Sequence, residues 1–435
     1  MRDKLLEALG KIYFWIQSVR VDRGFTSPII HIWRNSLLYC GPIIDWRYEG
    51  LIEGLLNLYV SSNDGKWLDM AIEYSKDIIN ALTPTGHLYM SSFEYSSFSG
   101  GTPHEFAAAK ALLKLCKVLI NEKLALWKNI YDAALLIINR MLTLYTGNAT
   151  KNLIDDPHIV YNKCATAAEV LFLYSDILKA QGKSTKSKSM LNIAKSIVDT
   201  IVKVQRDDGA IPQGTFDFNI YPLYVARCIN ALIEAYKRFS DKVYLMSIRK
   251  TLEFLKHSFV PGYGFYQVIF HNGKKSLNPI WIAGMGDILR VFLKVTELGV
   301  SSYNDIIDEG MNVILSKQTP LGSIWTAYGF AKPGYNRKYY GVPDMRDIMP
   351  CIGWIDKTFS FITQIVLQND LAISFKDIMT MVHEAKNEIY ITQCLFKGRA
   401  HKYVETAEEI KIIDEKTKSI IYHWRKKSHW AKAKF

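Results

Sequence analysis

Cysteine is scarce and scattered in this 435-residue chain. The six residues Cys40, Cys116, Cys164, Cys228, Cys351 and Cys394 form no Cys-x-x-Cys pair. That spacing supports neither a zinc ribbon nor a disulfide framework. Cys116 and Cys228 fall on apolar stripes of expected helices, where a thiol is a small core residue, and a reducing cytoplasm is the expected location. Long apolar runs are missing as well. No stretch approaches the roughly 20 residues that a membrane span needs. Met1 to Val21 mixes Arg2, Asp3, Lys4, Glu7 and Lys11 into an amphipathic pattern and reads as a helix of the fold, not a cleaved leader. Acidic residues are missing from the last stretch, Tyr422 to Phe435, which holds five basic residues with Trp424 and Trp430 between them. Residues 389–435 carry eleven Lys/Arg against five Asp/Glu, about half of the net charge of +12. A solvated tail is the plain reading; a contact for a polyanion or an anionic membrane surface is the sharper one. No nucleic-acid motif accompanies it.

What is present is a large apolar fraction, 49% of residues, with 13% aromatic, enough for an extensive core. Six glycines recur at nearly even spacing: Gly24, Gly86, Gly147, Gly209, Gly264 and Gly322. All but Gly147 lie in or beside a local signature in which a helix-like run ends and an aromatic or aliphatic residue follows, as in Gly86-His87-Leu88 and Gly322-Ser323-Ile324. Glycine just past a helix end enters the left-handed region without a Cβ clash. Six such stops predict one supersecondary unit used six times.

Two sets of helices fit this frame. One set, amphipathic with a 3.6-residue period, covers about 2–21, 66–82, 123–145, 186–205, 242–258 and 302–317. The second, more evenly apolar and rich in small residues, covers about 45–62, 102–119, 160–181, 217–238, 279–297 and 348–367. A helix that is apolar nearly all round is buried on most sides, so the second set forms an inner ring and the first an outer one. Inner-to-outer links are short and outer-to-inner links long, which gathers the long loops on one face. The expected fold is all-α: an (α/α)6 toroid of six helical hairpins over residues 1–370. A C-terminal helix at 372–387 and a small β appendage with a basic tail occupy 371–435, with a hairpin turning through Glu415-Lys416-Thr417-Lys418.

The segment Trp46-Arg47-Tyr48-Glu49-Gly50, followed by Leu55 to Tyr59 and Asp64 to Leu68, resembles a hairpin of the six-hairpin glycosidase superfamily. Leu223 to Tyr236 with Asp241 to Tyr244 resembles it again. The resemblance covers about residues 2–370 and is specific to the architecture, not to one family. It implies carbohydrate as the substrate class, with glycosidases, unsaturated uronyl hydrolases, sugar epimerases and polysaccharide lyases among its members. The chain departs from the uronyl hydrolases at Ser99 to Phe106, which lacks their His-Asp-x-Gly-Phe type stretch, so no catalytic residue of that family is carried over. The Asp-x-Asp-Asp motif of terpene cyclases is absent, and no Cys/His zinc constellation is legible.

In such a toroid the first turns of the inner helices open into the mouth. Glycoside cleavage needs two carboxyls flanking the bond. The candidate catalytic residues are Asp45, Glu49, Glu105 and Asp356, although a carboxylate in a first turn also serves as a cap. Candidate substrate-binding residues are Trp46, Tyr48, His104, Tyr161, Tyr221, Trp281 and Trp354, with Tyr340, Asp344, Arg346 and Asp347 from the loop before the last inner helix. Asn162 and Lys163 belong to the same first-turn group. No cofactor or metal is expected. The expected activity is glycoside hydrolysis of an oligo- or polysaccharide, and the basic balance of the chain favours an acidic one. A lyase or uronyl epimerase would instead use Tyr or His with a cation, and a non-catalytic glycan-binding toroid is a third reading. Carboxyls converging between aromatic walls would distinguish the first.

Overall fold

A computed structural model describes residues 2–31, 35–88, 105–153, 156–300, 302–331, 334–335 and 342–434. Among the described residues the helices are α1 (Arg2–Ser18), α2 (Tyr48–Ser62), α3 (Gly65–Ala81), α4 (Glu105–Asn121), α5 (Trp127–Thr143), α6 (Tyr161–Ala180) and α7 (Ser184–Val204). They continue with α8 (Pro222–Phe239), α9 (Lys242–His257), α10 (Gly286–Thr296), α11 (Asn304–Leu315), α12 (Met345–Ile348), α13 (Ile352–Gln368) and α14 (Phe375–Ala385). Eleven of these fall where the two helical sets are expected, and α14 where the C-terminal helix is expected. One inner helix starts later than its expected start at 279, at Gly286. Ile280–Trp281 pairs instead as a short strand with Ala327–Tyr328, and a single 3-10 turn, Ala283–Met285, leads into α10.

The outer helices form for local reasons. Asp64 and Asp241 cap α3 and α9, each accepting from the backbone amide two residues on, which satisfies an otherwise orphaned donor. The buried stripe of α9, from Tyr244 through Ile248 and Leu252 to Leu255, keeps the helical period. Burying a side chain such as Leu252 contributes roughly 1.5–3 kcal/mol. The inner helices are buried almost all round, α13 most completely.

Packing follows the two sets. Helix α2 packs on α4, α4 on α6, α6 on α8, α8 on α10, α10 on α13, and α13 on α2, so the sequence of contacts returns to its start. Helices α3, α5, α7, α9 and α11 each pack on the inner helix that precedes them, and α1 packs on α13. The six recurrent glycines all have positive φ, from +77° to +122°. Their spacing has a tertiary meaning as well. A Cβ on Gly86 would overlap the Leu136 carbonyl in α5, one on Gly209 the Lys250 carbonyl in α9, and one on Gly322 the Lys11 carbonyl in α1. At these three positions the turn after an outer helix rests on the backbone of the next outer helix, α11 being followed by α1; Gly24, Gly147 and Gly264 make no such contact.

The C-terminal strands Tyr390–Phe396, Arg399–Glu405, Glu409–Asp414, Ile420–Arg425 and Lys432–Ala433 form one antiparallel sheet in chain order, with the expected hairpin between the third and fourth. The sheet is tied to the long links: Leu395 N donates to Pro343 O, Cys40 N to His429 O and Ser323 Oγ to Glu405. Two residues of the expected solvated tail are structural instead. Trp424 is fully buried, and Lys426 is fully buried in an ion pair with Glu405 at 2.8 Å. Trp430 remains exposed.

Candidate functional site

The inner helices carry charge where small and apolar residues dominate. Glu49 and Glu53 lie on α2, Lys110 and Lys114 on α4, Glu169 on α6, Arg227 on α8, Asp287 and Arg290 on α10, and Asp356 and Lys357 on α13. Each inner helix contributes, and the groups meet in one network. Lys110 Nζ lies 2.9 Å from Glu49, 2.6 Å from Glu169 and 3.8 Å from Glu53. Arg227 divides its guanidinium, 2.5 Å to Glu49 Oε2 and 3.0 Å to Asp287 Oδ2. Arg290 pairs with Glu53, donates to Ser360 Oγ at 3.0 Å and lies 3.7 Å from Asp287. Lys114 holds Glu53 at 2.5 Å.

Burial alone would neutralise these carboxyls. Arg227, Lys110 and Lys357 override it for Glu49 and hold that carboxyl well below the usual range. Asp356 goes the other way. Burial pushes it up to about 7 against the pull of Lys357, whose Nζ sits 2.7 Å away. Although adjacent on α13, the two side chains meet. Asp356 is wedged against α2 at Gly50, where a Cβ would stand 2.5 Å from the Asp356 carboxylate. Lys294, on α10 beyond the network, is pushed down to about 7 by burial and by Arg290, Lys114 and Lys110. A further cation is thus already disfavoured there.

Above this network lies a cavity of about 80 Å³. Its charged lining is Lys163, Arg227 and Lys357 against Asp287. Its aromatic lining is His31, Trp46, Tyr224 and Trp354, with Asn162 and Thr166 as neutral polar groups. The aromatic wall is rigidly set. Trp354 Nε1 donates to Ile30 O at 2.7 Å, Trp281 stacks on Trp354 with ring centres 4.7 Å apart, and His31 stacks on it at 5.8 Å. Arg47 and Lys357 lie 4.6 and 4.8 Å from the Trp46 ring centre, which joins the wall to the charges below.

Of the residues expected from sequence, Trp46, Asn162, Lys163 and Trp354 line this cavity; Trp281 stands behind Trp354, and Glu49 beneath Arg227. The others are placed differently. Asp45 is buried in an ion pair with Arg47. Glu105 accepts from Leu88 N at 2.6 Å, pairs with His87 and lies 3.6 Å from Arg140, contacts that fasten the turn after α3. Tyr48 is fully buried and donates to Asp77 at 2.6 Å. Asp344 and Asp347 form the capping box of α12, and Arg346 donates to Asp344 at 2.7 Å. Tyr221 donates to Asp217 at 3.1 Å and packs beside Tyr224 with the rings tilted by 51°. Tyr161 is buried at the start of α6. His104 and Tyr340 lie outside the described residues.

Sequence reasoning missed His31, Tyr224, Arg227, and the deeper Lys110, Glu53 and Glu169. It searched the first helical turns, and most of the convergent charge sits one or two turns further in. The available signal was a charged residue interrupting each small-residue inner helix, as Lys110 follows Ala107-Ala108-Ala109 and Glu169 follows Ala167-Ala168.

No family model matches the chain, and no curated protein matches it in sequence. Solved structures do match. A glycosyl hydrolase family 88 protein from Bacteroides vulgatus aligns at TM-score 0.57 and 11% identity, over 84% of this chain and 99% of that one. A polysaccharide lyase aligns at TM-score 0.58 and 11% identity, over 86% and 99%. The GH76A alpha-1,6-mannanase from Salegentibacter sp. HEL1_6 aligns at TM-score 0.52 and 13% identity, over 84% and 100%. The chain shares the fold of these three proteins, and no one family among them is singled out.

Proposed function

We propose that this chain is a carbohydrate-active enzyme whose six hairpins close into an (α/α)6 toroid over residues 1–370, with residues 371–435 as an appendage, and that it takes an anionic saccharide in the cavity above the charge network. The observation that carries the reading is the cavity lining: three cations, Lys163, Arg227 and Lys357, against the single carboxylate Asp287 among the described residues. Lys163 stands at a cavity wall where Trp46 and Trp354 offer faces for a sugar ring.

For the reaction, two-carboxylate hydrolysis needs one carboxyl protonated at working pH and both within reach of the bond. Glu49 and Asp287 are the carboxyls nearest the cavity, and Arg227 lies between them, bound to both. That arrangement favours proton abstraction beside a sugar carboxylate, as in a lyase or uronyl epimerase, over hydrolysis. Hydrolysis stays the second reading because Asp287 faces the cavity.

Calorimetric titration with saturated uronate oligosaccharides and their neutral hexose counterparts tests the proposal. Uronates are expected to bind at least tenfold tighter, and Lys163→Ala to remove most of that difference. Equal affinity for the neutral sugars, or preference for them, would refute it.

A further inference from the structure

We propose that the outer face of the C-terminal sheet is a second binding site, for a linear anionic polysaccharide, apart from the cavity. The site goes beyond the cavity reading and rests on it for one thing only, the choice of a saccharide among polyanions.

Residues 389–435 hold eleven Lys/Arg against five Asp/Glu, and the sheet sorts them between its faces, because side chains alternate along a strand. One face, with Cys394, Tyr403, Ile410, Ile412, Tyr422 and Trp424, is buried in the common core. The other presents Ile391 and Gln393 from the first strand, Lys402 from the second, Lys411 and Ile413 from the third and Arg425 from the fourth. The ion pairs of the sheet join Glu409 to Lys411 and His423, His401 to Asp414, and Glu405 to Lys426. Lys402, Lys418, Arg425 and Lys432 take part in none of these. Lysines on an edge strand deter pairing with another chain. Lys402 and Arg425 stand on interior strands, the second and fourth of five, so that role does not account for them.

A groove of about 880 Å³ crosses this face. Gln393, Lys402 and Ile413 line it from one cross-strand row, Ile391 stands beside them, and the hairpin tip adds Lys418 and Glu415. The set suits a charged sugar chain: an amide for hydroxyls, two ammonium groups for carboxylates or sulfates, and branched aliphatic surface for the C–H side of a ring. A bilayer would be met by Trp, Phe or Leu among the charges, and single-stranded nucleic acid by rings on which bases stack. The groove has none of these among the described residues. The sheet also hangs on the links that wall the cavity. Tyr422 Oη donates to Leu37 O at 2.7 Å, in the link that supplies His31, and Leu395 N donates to Pro343 O just before α12. A polymer long enough to meet both sites would gain its second contact at a high effective concentration.

The test compares the full chain with Lys402→Glu/Lys418→Glu, with Lys163→Ala, and with Lys188→Glu/Lys242→Glu, which changes net charge equally on exposed positions of α7 and α9. Calorimetry is run against polygalacturonate, heparin, a saturated uronate disaccharide and dextran. Wild type is expected to bind at least one anionic polymer about tenfold or more tighter than the disaccharide, and dextran weakest. The Lys402/Lys418 variant is expected to lose that advantage and part of the salt dependence, with its disaccharide Kd within about threefold of wild type and its thermal melt unchanged. Lys163→Ala is expected to weaken the disaccharide and spare the sheet site, and the Lys188/Lys242 variant to keep polymer binding within about threefold. Equal losses in the two double variants would reduce the effect to net charge and overturn the proposal. So would polymer binding that survives Lys402→Glu/Lys418→Glu, or that is no tighter than the disaccharide in wild type. Tighter binding of phosphatidylserine–phosphatidylcholine vesicles, or of a single-stranded oligonucleotide, through the same two lysines would overturn it by naming another occupant. A disaccharide that fails to bind, while polymers still bind through Lys402 and Lys418, would remove the cavity reading and support this site.

Discussion

Arg227 spends one guanidinium on two buried carboxylates, Glu49 at 2.5 Å and Asp287 at 3.0 Å. Replacing it by Met leaves both without that partner. Breaking a buried pair from one side costs about 3–5 kcal/mol, so Arg227→Met is expected to lower the unfolding free energy by that amount in denaturant titrations. A loss under 1 kcal/mol would mean that Lys110 and Lys357 already suffice for Glu49. Asp356 makes a prediction about pH. Its folded carboxyl is raised to about 7 by burial, against about 3.9 in an unfolded chain. Between those values the folded state binds the extra proton, so this group's contribution to stability falls as pH rises from about 4 to 7 and is gone above that range. In Asp356→Asn the slope of stability against pH should flatten across that window. An unchanged slope would show that the carboxyl titrates normally.

Helices here touch through glycine. Gly50 and Gly54 of α2 admit Asp356 and Phe359 of α13, and Gly322 lets the turn after α11 rest on α1. Gly322→Ala combines a φ of +82° with overlap on the Lys11 carbonyl. Gly147→Ala, at φ +96°, meets nothing within 4 Å. The second should cost about 1–2 kcal/mol of left-handed strain, and the first at least 1–3 kcal/mol more from overpacking; equal losses in thermal or denaturant melts would deny the contact to α1. The helices were legible in the sequence because each carries its own period within some twenty residues, and α3 and α9 add the caps Asp64 and Asp241. The start of α10 was not, because the pairing of Ile280–Trp281 with Ala327–Tyr328 joins segments nearly fifty residues apart. The same distance effect hid most of the site. Trp46 and Trp354 stood out as aromatics at helix starts, but His31 and Tyr224 are 193 positions apart, and nothing local marks them as partners. Glu105 and Asp45 looked catalytic by type and position, while their ion pairs with His87, Arg140 and Arg47 are decided by packing.

Across the whole molecule the C-terminal sheet is bound to the helical body through buried polar contacts, Glu405 meeting both Lys426 and Ser323. Helix signal in the far ultraviolet and tryptophan fluorescence, which includes buried Trp424, should therefore melt together; a separate early transition in fluorescence would make the sheet an independent unit. The charges that converge from all six inner helices lie under one cavity, and the account of function depends on what that cavity holds. A crystal structure at saturating concentration of a saturated uronate disaccharide measures this directly. The account predicts the sugar carboxylate within hydrogen-bond distance of Lys163 and Arg227, with a ring against Trp46 or Trp354. A disaccharide bound elsewhere, or seated with its carboxylate turned away from both cations, would contradict it.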